Sequence, residues 1–153
     1  RGVVFIKEIV PKRAITFIAN KLYKENYQTM PMKHLWFEDD RSLNVIYEWF
    51  QNDNWQKIAV NCDPKPIAIQ AESEAEFITE HYWGYTHNNS ESSTEYEVTH
   101  PKWKTYTINH FVIDVDYGAV YGDEFGLLAK QEPDSIMLAE GSQISVENKR
   151  IIK

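Results

Sequence analysis

Three apolar runs joined by very short polar segments constrain the fold of this chain more than any other feature. The runs cover Met32–Glu38, Leu43–Phe50 and Gln56–Asn61, and turn-forming residues fill the gaps at 39–42 and 52–54. A parallel connection needs a crossover of about a dozen residues or more, which neither gap provides. The sequence therefore predicts an antiparallel meander of three strands.

The rest of the chain predicts further strands and two or three short helices. Ser73 and Glu76 match a capping box, with Ser73 as the N-cap and Glu76 reaching back. The other predicted elements are a strand at Val3–Val10, a helix at Lys12–Lys24, a short strand at Ile67–Ile69, a helix at Glu74–Tyr82, a polar loop at His87–Thr94, strands at Tyr96–Thr99 and Tyr106–Val115, a helix within Tyr117–Leu128 and a hairpin at Ser135–Val146. We expect Tyr106–Val115 to join the meander in one curved antiparallel sheet, with the apolar face of the first helix packed on it. The predicted fold class is mainly β (α+β), in a single domain over residues 1–153.

Charge and cysteine content exclude several kinds of partner. Sixteen Lys and Arg against 23 Asp and Glu leave a net charge of −7, which repels the phosphate backbone of nucleic acids. No apolar run approaches the length of about 20 residues needed to cross a bilayer. The one cysteine, Cys62, is typical of a reducing compartment. We therefore expect a cytoplasmic protein without nucleic-acid or membrane partners.

The densest group of reactive side chains lies in the segment Ile78–Tyr85. Glu80 and His81 could form a general acid/base pair, and the neighbouring aromatic rings could wall a pocket that shifts their pKa values. The alternative is an aromatic helix terminus that packs on a sheet. In either case we expect Glu80 to face the interior and to pair with His81, Tyr27 or a backbone amide, because a buried carboxylate needs a partner.

The sequence offers no motif for a metal, a cofactor or a nucleophile. No two of its five histidines have the i, i+4 spacing of a helical zinc motif. It contains neither Gly-x-Ser-x-Gly nor a phosphate-binding loop that ends in Lys-Ser/Thr. We expect no metal site and no cofactor.

Four segments together resemble one bacterial protein family. They are Val4–Pro11, Phe77–Tyr85, His100–Trp103 and Leu138–Ser142. In their order they resemble the YqjF-like family of uncharacterised proteins, within the acetoacetate decarboxylase-like superfamily. The resemblance covers essentially the whole chain and implies an antiparallel β-barrel-like sheet with a central cavity. It also implies that a sheet-forming N-terminal part precedes Arg1.

The decarboxylases of that superfamily form a Schiff base through a lysine in a Gly-Phe-Pro-Lys-Lys stretch. The stretch follows a segment similar to Ala19–Tyr23, and in this chain Lys24–Gln28 stands in its place. Tyr27 and Gln28 then occupy the lysine positions, and neither side chain can form an imine. The comparison implies a cavity without the amine mechanism.

The sequence thus predicts a YqjF-like protein that binds a small organic ligand in a β-barrel cavity. One alternative is an enzyme that acts on a small carbonyl compound by acid/base chemistry at Glu80 or Tyr27. Another is a structural or interaction module whose own aromatic side chains fill the cavity. A homo-oligomer is also expected, since a chain that begins within a strand leaves a sheet edge unpaired. The expected ligand-binding residues are His81, Tyr82, Trp83, His100, Trp103 and Glu140.

The missing lysine gives a direct chemical prediction. Incubation with a β-keto acid and borohydride should leave the protein unmodified, because no amine stands at the Schiff-base position. Intact-mass measurement followed by peptide mapping checks this. A reduced adduct on Lys7, Lys21, Lys24 or Lys33 would contradict it.

Overall fold

A computed structural model describes residues 2–152 of the chain, which are 44% strand and 20% helix. The strands are β1 (Gly2–Val3), β2 (Glu8–Val10), β3 (Tyr27–Thr29), β4 (Met32–Glu38), β5 (Leu43–Gln51), β6 (Asn54–Cys62), β7 (Ile67–Ala68), β8 (Trp83–Asn89), β9 (Ser92–Thr99), β10 (Lys104–Tyr106), β11 (Ile108–Asp114), β12 (Leu138–Ala139), β13 (Ser145–Val146) and β14 (Arg150–Ile152). The helices are α1 (Arg13–Ile18), α2 (Glu74–Thr79) and α3 (Tyr117–Tyr121), with a π-helical turn at Ala19–Tyr23 and a 3₁₀ helix at Asp123–Lys130.

The described residues group into two compact units. Unit 1 contains residues 2–29, 69–103 and 141–152, and unit 2 contains residues 30–68 and 104–140. The prediction of a single domain over residues 1–153 stays a prediction.

Unit 2 is built on the predicted meander. Strands β11, β6, β5 and β4 lie side by side in that order, and every pair is antiparallel. In the two-residue turn between β5 and β6, Asn52 and Asp53 have φ of 49° and 62°, the left-handed conformation that tight hairpins require. In the other turn, the Asp39 carboxylate accepts the backbone N–H groups of Arg41 and Ser42, both at 2.8 Å. The predicted pairing of these four strands is confirmed.

The core of unit 2 lies on one face of this sheet. Leu43 and Val45 alternate along β5 and are buried, and Cys62 stands opposite Leu43 in the register of β5 and β6. Burial raises the pKa of the Cys62 thiol, which donates to the Leu43 carbonyl. Four partly buried residues complete the cluster: Val60, Tyr106, Ile108 and Leu138.

Unit 1 combines an antiparallel hairpin with a helical segment. Strands β8 and β9 form the hairpin, β1 pairs parallel with β8, and β13 and β14 both pair with β9. The short strands β2 and β3 pair parallel with each other. Helix α1 runs into the π-helical turn, which ends where Lys24 adopts a φ of 63°. The predicted helix at Lys12–Lys24 is confirmed in extent, although its second half is wound as a π-helix.

Other sequence predictions were wrong. The segment His87–Thr94 is not a loop but the end of the hairpin of β8 and β9. Its polar side chains form hydrogen bonds within the turn, where Asn89 Oδ1 accepts from the Glu91 N–H and from the Ser92 hydroxyl. The predicted hairpin at Ser135–Val146 does not form, since β12 pairs with β10 and β13 pairs with β9. The strand expected at Val3–Val10 is interrupted between β1 and β2.

The packing of helix α1 and the closure of the sheet also differ from expectation. Helix α1 belongs to unit 1 and contacts β2 and β3. The hydroxyl groups of Thr16 on α1 and Thr29 on β3 form a hydrogen bond of 2.7 Å. The strands of residues 2–152 form separate open sheets and no closed barrel. Short strands of two or three residues, such as β7 and β12, extend too little to curve a sheet into closure.

The core of unit 2 can be tested with one substitution and a matched control. Leu43→Ala should lower the free energy of unfolding by about 2–5 kcal/mol, because the side chain is fully buried and leaves a cavity. Leu35→Ala, on β4 with 55% of the side chain exposed, should cost about 1 kcal/mol or less. Urea denaturation measures both. Equal losses would contradict this location of the core.

Candidate functional site

Unit 1 contains a pocket of about 290 Å³ between its helical segment and its strands. We call it the Glu25 pocket. Its lining residues are Ile15, Ile18, Ala19, Tyr23, Glu25, Tyr27, Tyr96 and Val146. All of them except Glu25 present apolar or aromatic surface. One carboxylate therefore lies in the wall of an otherwise apolar cavity.

The Glu25 carboxylate is held by two hydroxyl groups from the hairpin. Tyr96 on β9 donates to Glu25 Oε1 at 2.8 Å, and Thr86 on β8 donates to the same oxygen at 2.5 Å. The residue is only 8% exposed. A buried carboxylate is tolerated only with such partners, since an unpaired charge in a low-dielectric site is very costly.

Tyr27 is fixed beside Glu25 by a two-point backbone contact. The side chain of Asn20 donates to the Tyr27 carbonyl at 2.9 Å and accepts the Tyr27 N–H at 2.8 Å. Burial, followed by the charges of Glu8 and Glu25, raises the pKa of Tyr27 to about 12. The phenol therefore keeps its proton at neutral pH and is able to donate a hydrogen bond.

A second carboxylate, Glu8, lies on β2 next to this group. Strand β2 pairs with β3 so that Glu8 is opposite Tyr27. Burial, followed by the charge of Glu25, raises the pKa of Glu8. Two acidic side chains, Glu8 and Glu25, thus lie close enough to influence each other and Tyr27.

The position of Tyr96 depends on a glycine. Gly84 lies opposite Tyr96 in the hairpin register, and a Cβ atom at Gly84 would overlap the Tyr96 ring. The absent side chain lets the ring lie across β8 towards Glu25. On its other side, Tyr23 packs edge-on against Tyr96 with 5.2 Å between ring centroids. Desolvation and the contact with Glu25 raise the pKa of Tyr96.

Several residues predicted from the sequence meet elsewhere in unit 1. Tyr82 donates a short hydrogen bond to the half-buried Glu80, and this contact raises the pKa of Tyr82 to about 12. His100 stacks on Trp103 with 4.0 Å between centroids and lies 5.0 Å from the Tyr82 ring. The partner of Glu80 is thus Tyr82, a neighbour two positions away, rather than His81, Tyr27 or a backbone amide.

The remaining predicted residues do not join this stack. His81 lies against Phe77 and contacts the Ile78 carbonyl, and Trp83 faces the guanidinium of Arg150 at 5.3 Å. Glu140 belongs to unit 2, where its side chain accepts the Lys104 N–H at 3.1 Å. The roles assigned to these residues, and to Glu80 and Tyr27, stay predictions.

Sequence reasoning found Tyr27 in the Glu25 pocket and missed the other polar residues. Glu8, Asn20, Glu25, Thr86 and Tyr96 come from five separate elements or loops, and no local pattern connects them. Glu8 and Tyr27 come together because β2 and β3, the short strands on either side of the helical segment, pair in parallel. Recognising that pairing would have placed Glu8 beside Tyr27.

The described residues form neither a metal-binding cluster nor a membrane-spanning helix. Among residues 2–152, no three His, Cys, Asp or Glu side chains converge as a metal ion would require. No helix in the same range has the length and apolar character to span a membrane. The expected absence of a metal stays a prediction.

Comparison with protein families gives one match. The model of family DUF2071, described as "Uncharacterized conserved protein (COG2071)", matches residues 1–143. The chain belongs to this family. No curated protein and no solved structure matches it. An uncharacterised conserved family was expected from the sequence, whereas the YqjF-like and acetoacetate decarboxylase-like assignments stay predictions.

The raised pKa of Glu8 predicts how stability depends on pH. Folding favours the protonated form, so the contribution of Glu8 to stability is full below its ordinary pKa of 4.5 and is lost as the pH rises through the raised value. Glu8→Gln cannot ionise and should lose less stability than the wild type between pH 4.5 and neutrality.

Urea denaturation at a series of pH values measures this difference. Glu91→Gln is the matched control, because Glu91 is exposed in the turn between β8 and β9 and should leave the wild-type profile unchanged. A Glu8→Gln profile parallel to that of the wild type would contradict the assignment.

Proposed function

We propose that this member of the DUF2071 family binds a small organic molecule in the Glu25 pocket. The observation that carries the proposal is a buried carboxylate in the wall of an otherwise apolar cavity. Sites for small ligands are mostly apolar, with a few convergent polar groups that orient the ligand. The volume of about 290 Å³ is near the lower end of the range for such sites, which favours a compact ligand.

The rigidity of the polar wall supports the same function. Glu25 is fixed by Tyr96 and Thr86, and Tyr27 is fixed by Asn20, so these groups keep their positions without a ligand. A preorganised site loses less conformational entropy on binding. An interaction module with a filled interior has less support, because the aromatic rings of Tyr23, Tyr27 and Tyr96 line the cavity without filling it.

Acid/base catalysis on a carbonyl compound has weaker support. A general acid or base works best with a pKa near the working pH. The pKa of Tyr27 is raised to about 12, far from neutrality, so its phenol is a poor proton-transfer group at neutral pH. Binding therefore explains the arrangement better than proton transfer does.

Filling the pocket should abolish binding. The probes are 2-phenylethylamine, 2-phenylethanol and 3-phenylpropionate, which share a phenyl body and differ in charge. At least one should stabilise the wild type, by about 2.7 kcal/mol at a hundredfold excess over Kd. Ala19→Leu places extra carbon atoms in the pocket and should remove that stabilisation.

The matched control is Ala14→Leu, the same change at an exposed position of α1 outside the pocket lining. It should bind the probe as the wild type does. Thermal denaturation with and without each probe measures all three proteins. No stabilisation of the wild type by any probe, or equal stabilisation of Ala19→Leu, would contradict the proposal.

A further inference from the structure

None of the ion pairs seen in the described part of the chain neutralises Glu25. Those pairs, within residues 2–152, are Lys33–Glu48, Lys102–Glu76 and Arg150–Glu95, and none of the three includes Glu25 or Glu8. Glu25 is nevertheless more than nine-tenths buried. Hydrogen bonds from neutral hydroxyls offset part of the desolvation cost of a carboxylate but do not neutralise its charge.

The hydrogen bonds to Glu25 also leave one oxygen available. Both Tyr96 and Thr86 donate to Oε1, and none of the hydrogen bonds seen among residues 2–152 goes to Oε2. An ionised carboxylate accepts hydrogen bonds on both oxygens. The vacant acceptor belongs to a residue that lines the pocket, so a ligand inside can donate to it.

The walls around this carboxylate suit a positive charge as well. Tyr23, Tyr27 and Tyr96 present aromatic rings to the same cavity, and ring faces attract cations, most strongly where water is excluded. Glu8 adds a second carboxyl group near the first, and burial together with the charge of Glu25 raises its pKa. The apolar residues Ile15, Ile18 and Val146 supply the rest of the lining, which suits a hydrocarbon body.

We infer that the ligand of the Glu25 pocket is a small organic cation, a protonated amine with an apolar or aromatic body, whose ammonium group donates to Glu25 Oε2. This inference rests on the proposed function and adds the chemical class of the ligand. An anion would be repelled by the Glu25 carboxylate, and a neutral alcohol would leave its charge uncompensated.

The three probes that share a phenyl body test the charge preference directly. In calorimetric titration of the wild type, 2-phenylethylamine should bind at least about tenfold more tightly than 2-phenylethanol, because an ion pair in a desolvated site adds that much or more. The anion 3-phenylpropionate should bind most weakly. This ranking needs no variant, so it holds even if a substitution at Glu25 impairs folding.

Three variants test whether the preference for the amine over the alcohol arises in the Glu25 pocket. Glu25→Gln keeps the size of the side chain and removes the charge, so it should weaken the amine about tenfold and leave the alcohol within about threefold. Glu91→Gln, which removes an exposed charge, should change neither. Ala19→Leu should abolish amine binding, whereas attraction of amines to the net charge of −7 would survive that substitution.

The outcomes separate the two proposals. Equal or tighter binding of the alcohol or the anion, lost in Ala19→Leu, would overturn the inference of a cation while supporting the pocket. Amine binding that persists in Ala19→Leu would also overturn it. If no probe binds the wild type, the proposed function itself fails.

Discussion

The hydrogen bonds on Glu25 join parts of unit 1 that are far apart in sequence. Tyr96 lies 71 positions away and Thr86 lies 61 positions away, and both reach the residue that follows the π-helical turn. These bonds tie the end of the helical segment to the hairpin, beside the ring contact of Tyr23 with Tyr96. They also keep the Glu25 carboxylate largely buried, although the pocket around it is partly open. The polar character of the pocket follows from that burial, whereas α1 packs on β2 and β3 through contacts of its own.

The parts of the fold that sequence could predict are those whose signals are local. The meander of unit 2 follows from alternating apolar residues and from turn chemistry at Asp39, Asn52 and Asp53. Ser73 caps α2 as expected by accepting the Glu76 N–H at 3.2 Å. Glu76 reaches back one residue further than a capping box requires, to the N–H of Glu72 at 2.8 Å. In each case the partners lie within a few positions of one another.

The candidate site could not be derived in the same way, because its partners are distant and its signals are ambiguous. The polar segment that follows Thr86 has the composition of a loop, although strand pairing in a hairpin accommodates Asn and Ser when their side chains face solvent. The importance of Gly84 depends on which ring crosses it, and only the register with Tyr96 reveals that. Tyr27 was found through a family resemblance, because its partners Glu8 and Asn20 belong to no pattern around it.

The π-helical turn at Ala19–Tyr23 restricts how chains of this kind can change in length. It carries one more residue per turn than an α-helix would over the same span, and the Lys24 N–H closes it on the Ala19 carbonyl. The wide turn accommodates one extra residue without redirecting the segment that follows, because an i→i+5 turn sweeps about the same angle as the i→i+4 turn it replaces. Deleting one residue there would restore α-helical spacing and leave the chain towards Glu25 nearly in its present direction. An insertion has no such compensation, because it would have to widen the turn further. Between Ile18 and Tyr27, the chain can therefore shorten by one residue at this turn, whereas Asn20 and Glu25 must keep their identity to hold the Tyr27 backbone and to receive the Tyr96 and Thr86 hydroxyls.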